Sequence, residues 1–301
     1  MFSANSVATL SSSCSFVSFV DRFFHWLRPG YAMSFRGQNL SLRGWTRGLV
    51  LICWVLLSGQ VFAQTVHVAV ASNFADTLRL LTKAYPEASP PEFKISAAST
   101  GKLFAQIRHG APFDLFLAAD ARRPALLVKS GGAVGETLFT YALGRLVLWR
   151  PVARSIAAGG TQQALSRHAL TGPLHRLAMA NPKIAPYGRA AEETLRALGL
   201  WEKLQPKLVR GENIGQTYQF VATGAAQMGF VALSQIRLGH TPGEDRAEQR
   251  WIVPASLHAP LIQQAVLLEA GADNPAARRF LAFLKSPGAR EIIRAQGYEL
   301  P

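Results

Sequence analysis

Four short stretches set hydroxyl, amide or glycine residues at the start of a helical pattern: Ser72-Asn73, Ser99-Thr100-Gly101, Pro186-Tyr187-Gly188 and Glu212-Asn213-Ile214-Gly215. The first turn of a helix leaves backbone N–H groups unpaired and carries a partial positive charge. Hydroxyl and amide side chains there either cap the helix or turn towards a bound anion, and glycine lets backbone approach it closely. A dianion gathered by several such termini needs no Lys or Arg contact. Taken singly, each stretch has an ordinary explanation. Ser, Thr or Asn before a helix is commonly an N-cap, Gly188 and Gly215 punctuate loops, and Tyr187 packs between lobes. Four in one chain point to anion binding without naming the anion.

Other chemistry-bearing residues point away from catalysis. Asp114 and Asp120 flank a strand, but paired carboxylates repel an anion, and Asp114 reads as a structural or capping residue. His67, His109, His168, His175, His240 and His258 show no metal-ligand spacing. Neither a nucleophile elbow nor a phosphate loop with a following lysine occurs. The two cysteines, Cys14 and Cys53, both precede residue 64, so the chain beyond it has no thiol for a disulfide, a metal or catalysis.

The elements that must position the four stretches alternate between strand and helix, which predicts an α/β fold. Strand patterns cover 65–71, 92–97, 114–118, 141–149, 177–179, 228–233, 251–254 and 264–268. Helical patterns cover 73–84, 102–108, 190–198, 214–223, 274–285 and 288–296, the first with Phe74, Leu78 and Leu81 on one face. The run of βα units is interrupted by the long strand near 144–149, and the segment near 252–256 carries the chain back. The expected division is therefore one lobe from 65–143 plus 255–301 and a second from 144–254.

Ahead of these lobes, residues 48–59 (GLVLICWVLLSG) form an apolar run of about 12 residues, against the roughly 20 needed to span a bilayer. Arg43 and Arg47 precede it and Val61-Phe62-Ala63 follows, the pattern of a signal peptide cleaved after Ala63. Met33 opens a better positively charged leader than Met1 does, so residues 1–32 read as an extension upstream of the true start and 33–63 as the signal. Residues 1–63 hold five Arg and one Asp of the chain's 32 basic and 18 acidic side chains, which leaves 27 against 17, a net charge of +10. The basic residues are scattered rather than striped, as on a solvated surface, and charge alone identifies no ligand.

The residues themselves carry a resemblance. VAVASNFADTL (68–78), STGKLFAQIRHGAPFDLFLAAD (99–120), NPKIAPYGRAAEETLRALGLWEKLQPKLVRGENIGQTYQFV (181–221) and FLAFLKSPGAREIIRAQGYEL (280–300) closely resemble the periplasmic molybdate-binding proteins of ABC transporters. GAPFDLFLAAD is the most specific block, and the resemblance covers essentially all of 65–301. It implies a two-lobed type II periplasmic-binding-protein fold, α/β, each lobe a mixed, mostly parallel sheet flanked by helices, with the ligand in the cleft. It also implies a non-enzymatic, monomeric periplasmic protein without cofactor or nucleic-acid partner. Such a protein delivers molybdate or tungstate to a membrane permease.

Carried over by position, Ser72 and Asn73 hold the oxyanion in the first loop, Ser99 or Thr100 in the second, and Tyr187 and Ile214 through backbone N–H groups. Ser72, Thr100, Tyr187 and Ile214 are thus contacts to molybdate oxygens rather than ligands of the metal itself. Some members place a tyrosine ligand in the strand that here reads GFVALSQ, where this chain has Ala232. That departure favours the subgroup using Asn73 and the Tyr187 region. Sulfate, thiosulfate or phosphate is the alternative cargo. An enzyme acting on an anion would need an acid, base or metal beside Ser72 and Thr100, and a regulator's sensing domain would need an N-terminal helix-turn-helix.

Overall fold

A computed structural model describes residues 65–151, 165–238 and 249–301. The predicted signal region 1–63 and His240 lie outside them. Two five-stranded sheets organise the rest. The first is built from β1 (Thr65–Ala71), β2 (Glu92–Ala98), β3 (Leu115–Ala118), β4 (Phe139–Gly144) and β10 (Leu261–Leu267), in the order β2-β1-β3-β10-β4. The second uses β5 (Leu146–Arg150), β6 (Leu177–Ala180), β7 (Leu208–Gly211), β8 (Met228–Ala232) and β9 (Gln249–Ile252), in the order β7-β6-β8-β5-β9.

Each sheet is evenly mixed rather than mostly parallel. In the first, β1 pairs parallel with β2 and β3 while β10 runs antiparallel to β3 and β4. In the second, β6 pairs parallel with β7 and β8 while β5 runs antiparallel to β8 and β9.

The central strands read as continuous apolar runs because helices cover both faces. LFLA in β3, LAMA in β6 and MGFVA in β8 are buried at every position. In the first lobe, Val66, Val68 and Val70 pack with Phe74, Leu78 and Leu81 of the segment that becomes α1 (Ala75–Lys83), together with Phe280 of α8 (Pro275–Phe283). Leu103 of α2 (Thr100–Arg108) and Leu127 of α3 (Arg122–Lys129) pack on the opposite face with Phe116 and Val266. In the second lobe, Leu195 of α4 (Pro186–Ala197) and Trp201 and Leu204 of α5 (Trp201–Leu204) bury Met179, Met228 and Phe230. Val221 of α6 (Ile214–Ala222) and Ile236 of α7 (Leu233–Leu238) cover Val147, Ala178 and Val231. The chain closes with α9 (Pro287–Ala295).

One expected element is divided. The single strand anticipated over 141–149 is two strands in different sheets: Gly144 pairs with Leu261 in the first and Leu146 with Ala232 in the second. The sequence gives no break there because both halves are apolar and in register with an extended chain. What separates them is the turn from one sheet to the other at Arg145, whose carbonyl accepts the Leu233 N–H. A Cβ on Gly144 would collide with the Tyr187 hydroxyl and the Gln263 amide nitrogen, so a larger residue at this crossover would displace both side chains.

Candidate functional site

The six residues singled out by the sequence line one cavity between the lobes. Ser72, Asn73, Ser99, Thr100, Tyr187 and Ile214 surround it together with Ala71, Ala98, Ala119, Ala185 and Pro186. Its volume is about 10 Å³, roughly the room for one water molecule. Every lining residue is electrically neutral. Larger clefts of about 380 and 500 Å³ lie elsewhere and include none of the six.

The first-lobe wall is made of hydroxyl-bearing loops. Ser99 is the N-cap residue of α2, with extended backbone, yet its side chain caps nothing. The Gly101 N–H that such a cap would engage donates instead to the Ile184 carbonyl in the second lobe, at 2.9 Å. Ser99 Oγ is fully buried and has no hydrogen-bond partner among the described residues. A buried hydroxyl left this way costs about 1–3 kcal/mol, a cost that a bound acceptor would remove. Thr100 Oγ1 accepts the Ala119 N–H at 3.1 Å, which leaves its own proton to donate. Ser72 Oγ likewise accepts the Gly215 N–H, at 3.3 Å across the cleft, and keeps its proton.

Asn73 differs from these. Both protons of its amide are engaged, one with Gln263 Oε1 at 2.9 Å and one with the Tyr298 hydroxyl at 3.1 Å. Its main-chain carbonyl accepts from Tyr298 and Ser234. The group this residue can still offer a ligand is its main-chain N–H.

The second-lobe wall is made of helix ends. α4 opens with Ala185 as N-cap, which has no capping side chain, and with Pro186 at the first helical position. Its remaining first-turn N–H groups, Tyr187 among them, are therefore uncapped. Gly188 sits where a Cβ would lie 2.3 Å from the Ala180 carbonyl oxygen, so the helix end can meet β6 only through glycine. In α6, Asn213 Oδ1 caps a single N–H, that of Gln216, at 2.9 Å. The Gly215 N–H reaches Ser72, and Ile214 faces the cavity.

No charged side chain lines the cavity. Lys102 and Glu212 pair across the cleft mouth at 3.7 Å. Asp120 pairs with Arg123 on the first-lobe side, and its Oδ1 takes the Arg123 N–H, so it caps α3. Asp114 Oδ2 takes the His67 N–H, the structural role anticipated for it. Ala232 is fully buried and does not line the cavity. Its N–H donates to Gln235 Oε1, and Gln235 Nε2 in turn holds the Ile214 carbonyl at 3.1 Å. No group of three or more His, Cys, Asp or Glu able to hold a metal ion occurs among the described residues.

Sequence reasoning missed what lies beneath the cavity. Gln263, Tyr141, Ser234 and Tyr298 form a buried polar floor, with Phe74 packed edge-on against Tyr141 and Tyr298 at centroid distances of 4.6 and 5.3 Å. Burial pushes the phenols of Tyr141, Tyr187 and Tyr298 well above their ordinary range, so all three are neutral hydroxyls. The available signal was Gln263 itself, a polar residue on the same strand face as Leu261 and Ala265.

Two lobes, each an α/β sheet, with hydroxyl residues and helix N-termini facing across a small neutral cleft, define a solute-binding protein of the periplasmic-binding-protein architecture. Residues 66–299 match the family described as bacterial extracellular solute-binding protein, and the chain belongs to it. The molybdate-binding protein ModA of Azotobacter vinelandii is 42% identical over 245 residues, 81% of this chain and 94% of that one. ModA of Rhodobacter capsulatus is 41% identical over 261 residues, 86% of this chain and 96% of that one. The solved structure of the Azotobacter vinelandii periplasmic molybdate-binding protein superposes with a TM-score of 0.69 at 37% identity, covering 78% of this chain and 99% of the other.

Proposed function

We propose that this protein captures molybdate, and tungstate in its place, between its lobes and hands it to the membrane permease of an ABC transporter. One observation carries the reading: hydroxyl residues of one lobe and the N-terminal ends of α4 and α6 in the other line the same neutral cavity, in a chain 42% identical to a molybdate-binding protein. In this reading Ser72, Ser99 and Thr100 donate hydroxyl protons, and Asn73, Tyr187 and Ile214 donate main-chain N–H groups. Ser72 and Thr100 each accept an N–H and keep the hydroxyl proton, which they can donate to an anion. Monoprotonated phosphate brings a hydroxyl for which the cavity offers no carboxylate, only hydroxyl oxygens, as acceptor. Selectivity against sulfate follows from size, because donors fixed on rigid elements cannot follow a smaller anion inward.

The remaining assignments belong to the same proposal. Lobe I comprises 65–143 and 255–301, lobe II comprises 144–254, and 33–63, downstream of the extension 1–32, is an export signal that directs a monomeric protein to the periplasm. The protein binds and releases without chemical turnover and carries no cofactor. Titration calorimetry of the purified protein with molybdate, tungstate, sulfate and phosphate tests the reading. Molybdate and tungstate are expected to bind at least about a hundredfold more tightly than sulfate, the ratio that a difference of ~3 kcal/mol produces. Sulfate or phosphate binding as tightly as molybdate would overturn it.

A further inference from the structure

The polar floor beneath the cavity ties the two walls to each other through one side chain. Gln263 lies on β10 of the first lobe with no solvent exposure. Its Oε1 accepts from Asn73 Nδ2 at 2.9 Å and from the Tyr141 hydroxyl at 3.0 Å. Its Nε2 donates to the Tyr187 hydroxyl at 3.3 Å, in the second lobe. One end of a planar amide thus holds the residue next to Ser72, and the other end holds a residue of the uncapped α4 terminus. The strand is shaped for this: the pairing of β10 with β4 shifts register between Gln263 and Gln264, leaving Tyr141 as the extra residue whose hydroxyl reaches Gln263. A Cβ on Gly144 would lie 2.2 Å from the Tyr187 hydroxyl and 2.7 Å from Gln263 Nε2, so the pair rests directly against the crossover between lobes. A second tie runs back from the Ser234 hydroxyl of α7 to the Asn73 carbonyl at 3.1 Å.

We propose that Gln263 is a positioning residue that sets how far apart the two walls stand when the cleft is closed, and with it the size of anion the cleft prefers. It touches no ligand. It acts through Asn73 on one wall and Tyr187 on the other, and the rigidity of its amide keeps their spacing fixed. Each of these buried groups holds a hydrogen-bond partner, so displacing the amide leaves a buried polar group unpaired, which makes the arrangement stiff. The inference rests on the anion-binding reading of the cleft.

The test compares Gln263→Leu and Tyr187→Phe with the parent protein, measuring affinities for molybdate and sulfate by calorimetry and folding by thermal melts. Tyr187→Phe removes only the hydroxyl that meets Gln263 and retains the α4 N–H groups, so it remains informative if Gln263→Leu does not fold. Each variant is expected to lose about tenfold in molybdate affinity, the effect of one misplaced hydrogen bond to a charged group. Sulfate affinity should change by less than about threefold on the same scale, so the preference between the anions narrows. The double variant should be no worse than the more damaging single one, since both cut the same tie. Equal losses for both anions in folded variants, the result of a merely structural role, would overturn the proposal, as would parental affinity and preference in both. If the parent itself binds a different tetrahedral anion best, the molybdate reading fails, and the same comparison with that anion and a smaller one still decides the role of Gln263.

Discussion

The two walls of the cleft offer an anion the same kind of group by different means. The first lobe presents side-chain hydroxyls, at Ser72 and where α2 begins at Ser99 and Thr100, while the second presents main-chain N–H groups at the ends of α4 and α6. A hydroxyl can be deleted by mutation, whereas an N–H can be moved only by disturbing the helix that carries it. The hydroxyl wall is therefore sensitive to the loss of particular atoms, and the N–H wall to packing around residues that never touch the ligand. Glycine shows this at Gly188, where a Cβ would meet the Ala180 carbonyl at 2.3 Å.

Mutations on each wall sharpen the contrast. The largest effect is expected for Ser72→Ala combined with Ser99→Ala, which removes two donors to a dianion and should weaken molybdate binding by about 3–5 kcal/mol with little change in melting temperature. Calorimetry and a thermal melt check this together. Thr100→Ala alone should weaken binding by about 1–3 kcal/mol, and an unchanged affinity would place the second-loop contact on Ser99 only. Gly188→Ala tests the other wall. It should reduce stability by about 1–3 kcal/mol through overpacking against β6 and reduce affinity as well, although no ligand-facing side chain has changed. If affinity survives while stability falls, the α4 terminus is not a contact.

How legible each wall was in the sequence follows from the same difference. Ser72, Ser99 and Thr100 could be found as hydroxyl residues ahead of helical patterns, and the buried strands LFLA, LAMA and MGFVA announced themselves by composition. Ser99 and Thr100 look alike in the sequence; their environments differ because the Ala119 N–H, 19 residues on, donates to Thr100 Oγ1 while Ser99 Oγ has no partner among the described residues. Asn73 looked like a side-chain donor until Gln263 and Tyr298, 190 and 225 residues away in sequence, were seen to occupy its amide. The break at Gly144-Arg145 was hidden because extended backbone continues through it and only the sheet assignment changes. Short elements such as α3, with Pro124 in its first turn, and the edge strand β7 carry too few periodic residues to stand out.

Smaller effects probe what surrounds the walls. The raised phenols of Tyr141, Tyr187 and Tyr298 stay protonated in the folded protein, whereas in the unfolded chain they ionise near the ordinary value of about 10. Above that value the unfolded state binds fewer protons than the folded one, so stability should be level through neutral pH and decline as pH rises past about 10. Melting temperature against pH checks the sign, and a decline that begins near neutrality would contradict it. The smallest effect is expected at the cleft mouth, where Lys102 and Glu212 pair with side chains 55% and 70% exposed. Lys102→Met should change affinity by less than about 1 kcal/mol, and a larger loss would mean that charge, not neutral donors, holds the anion.

The central claim is that a tetrahedral oxyanion sits between hydroxyls of one lobe and N–H groups of the other. A crystal structure of the protein grown with tungstate, read by anomalous scattering from the metal, tests this most directly. The account predicts a single strong peak in the cavity. Its oxygens should lie at hydrogen-bonding distance, about 2.7–3.2 Å, from Ser72 and Ser99 or Thr100 on one side and from the Tyr187 and Ile214 N–H groups on the other. A peak held instead by arginine or lysine side chains, in the groove lined by Lys183, Arg189, Arg196 and Arg210, would contradict it.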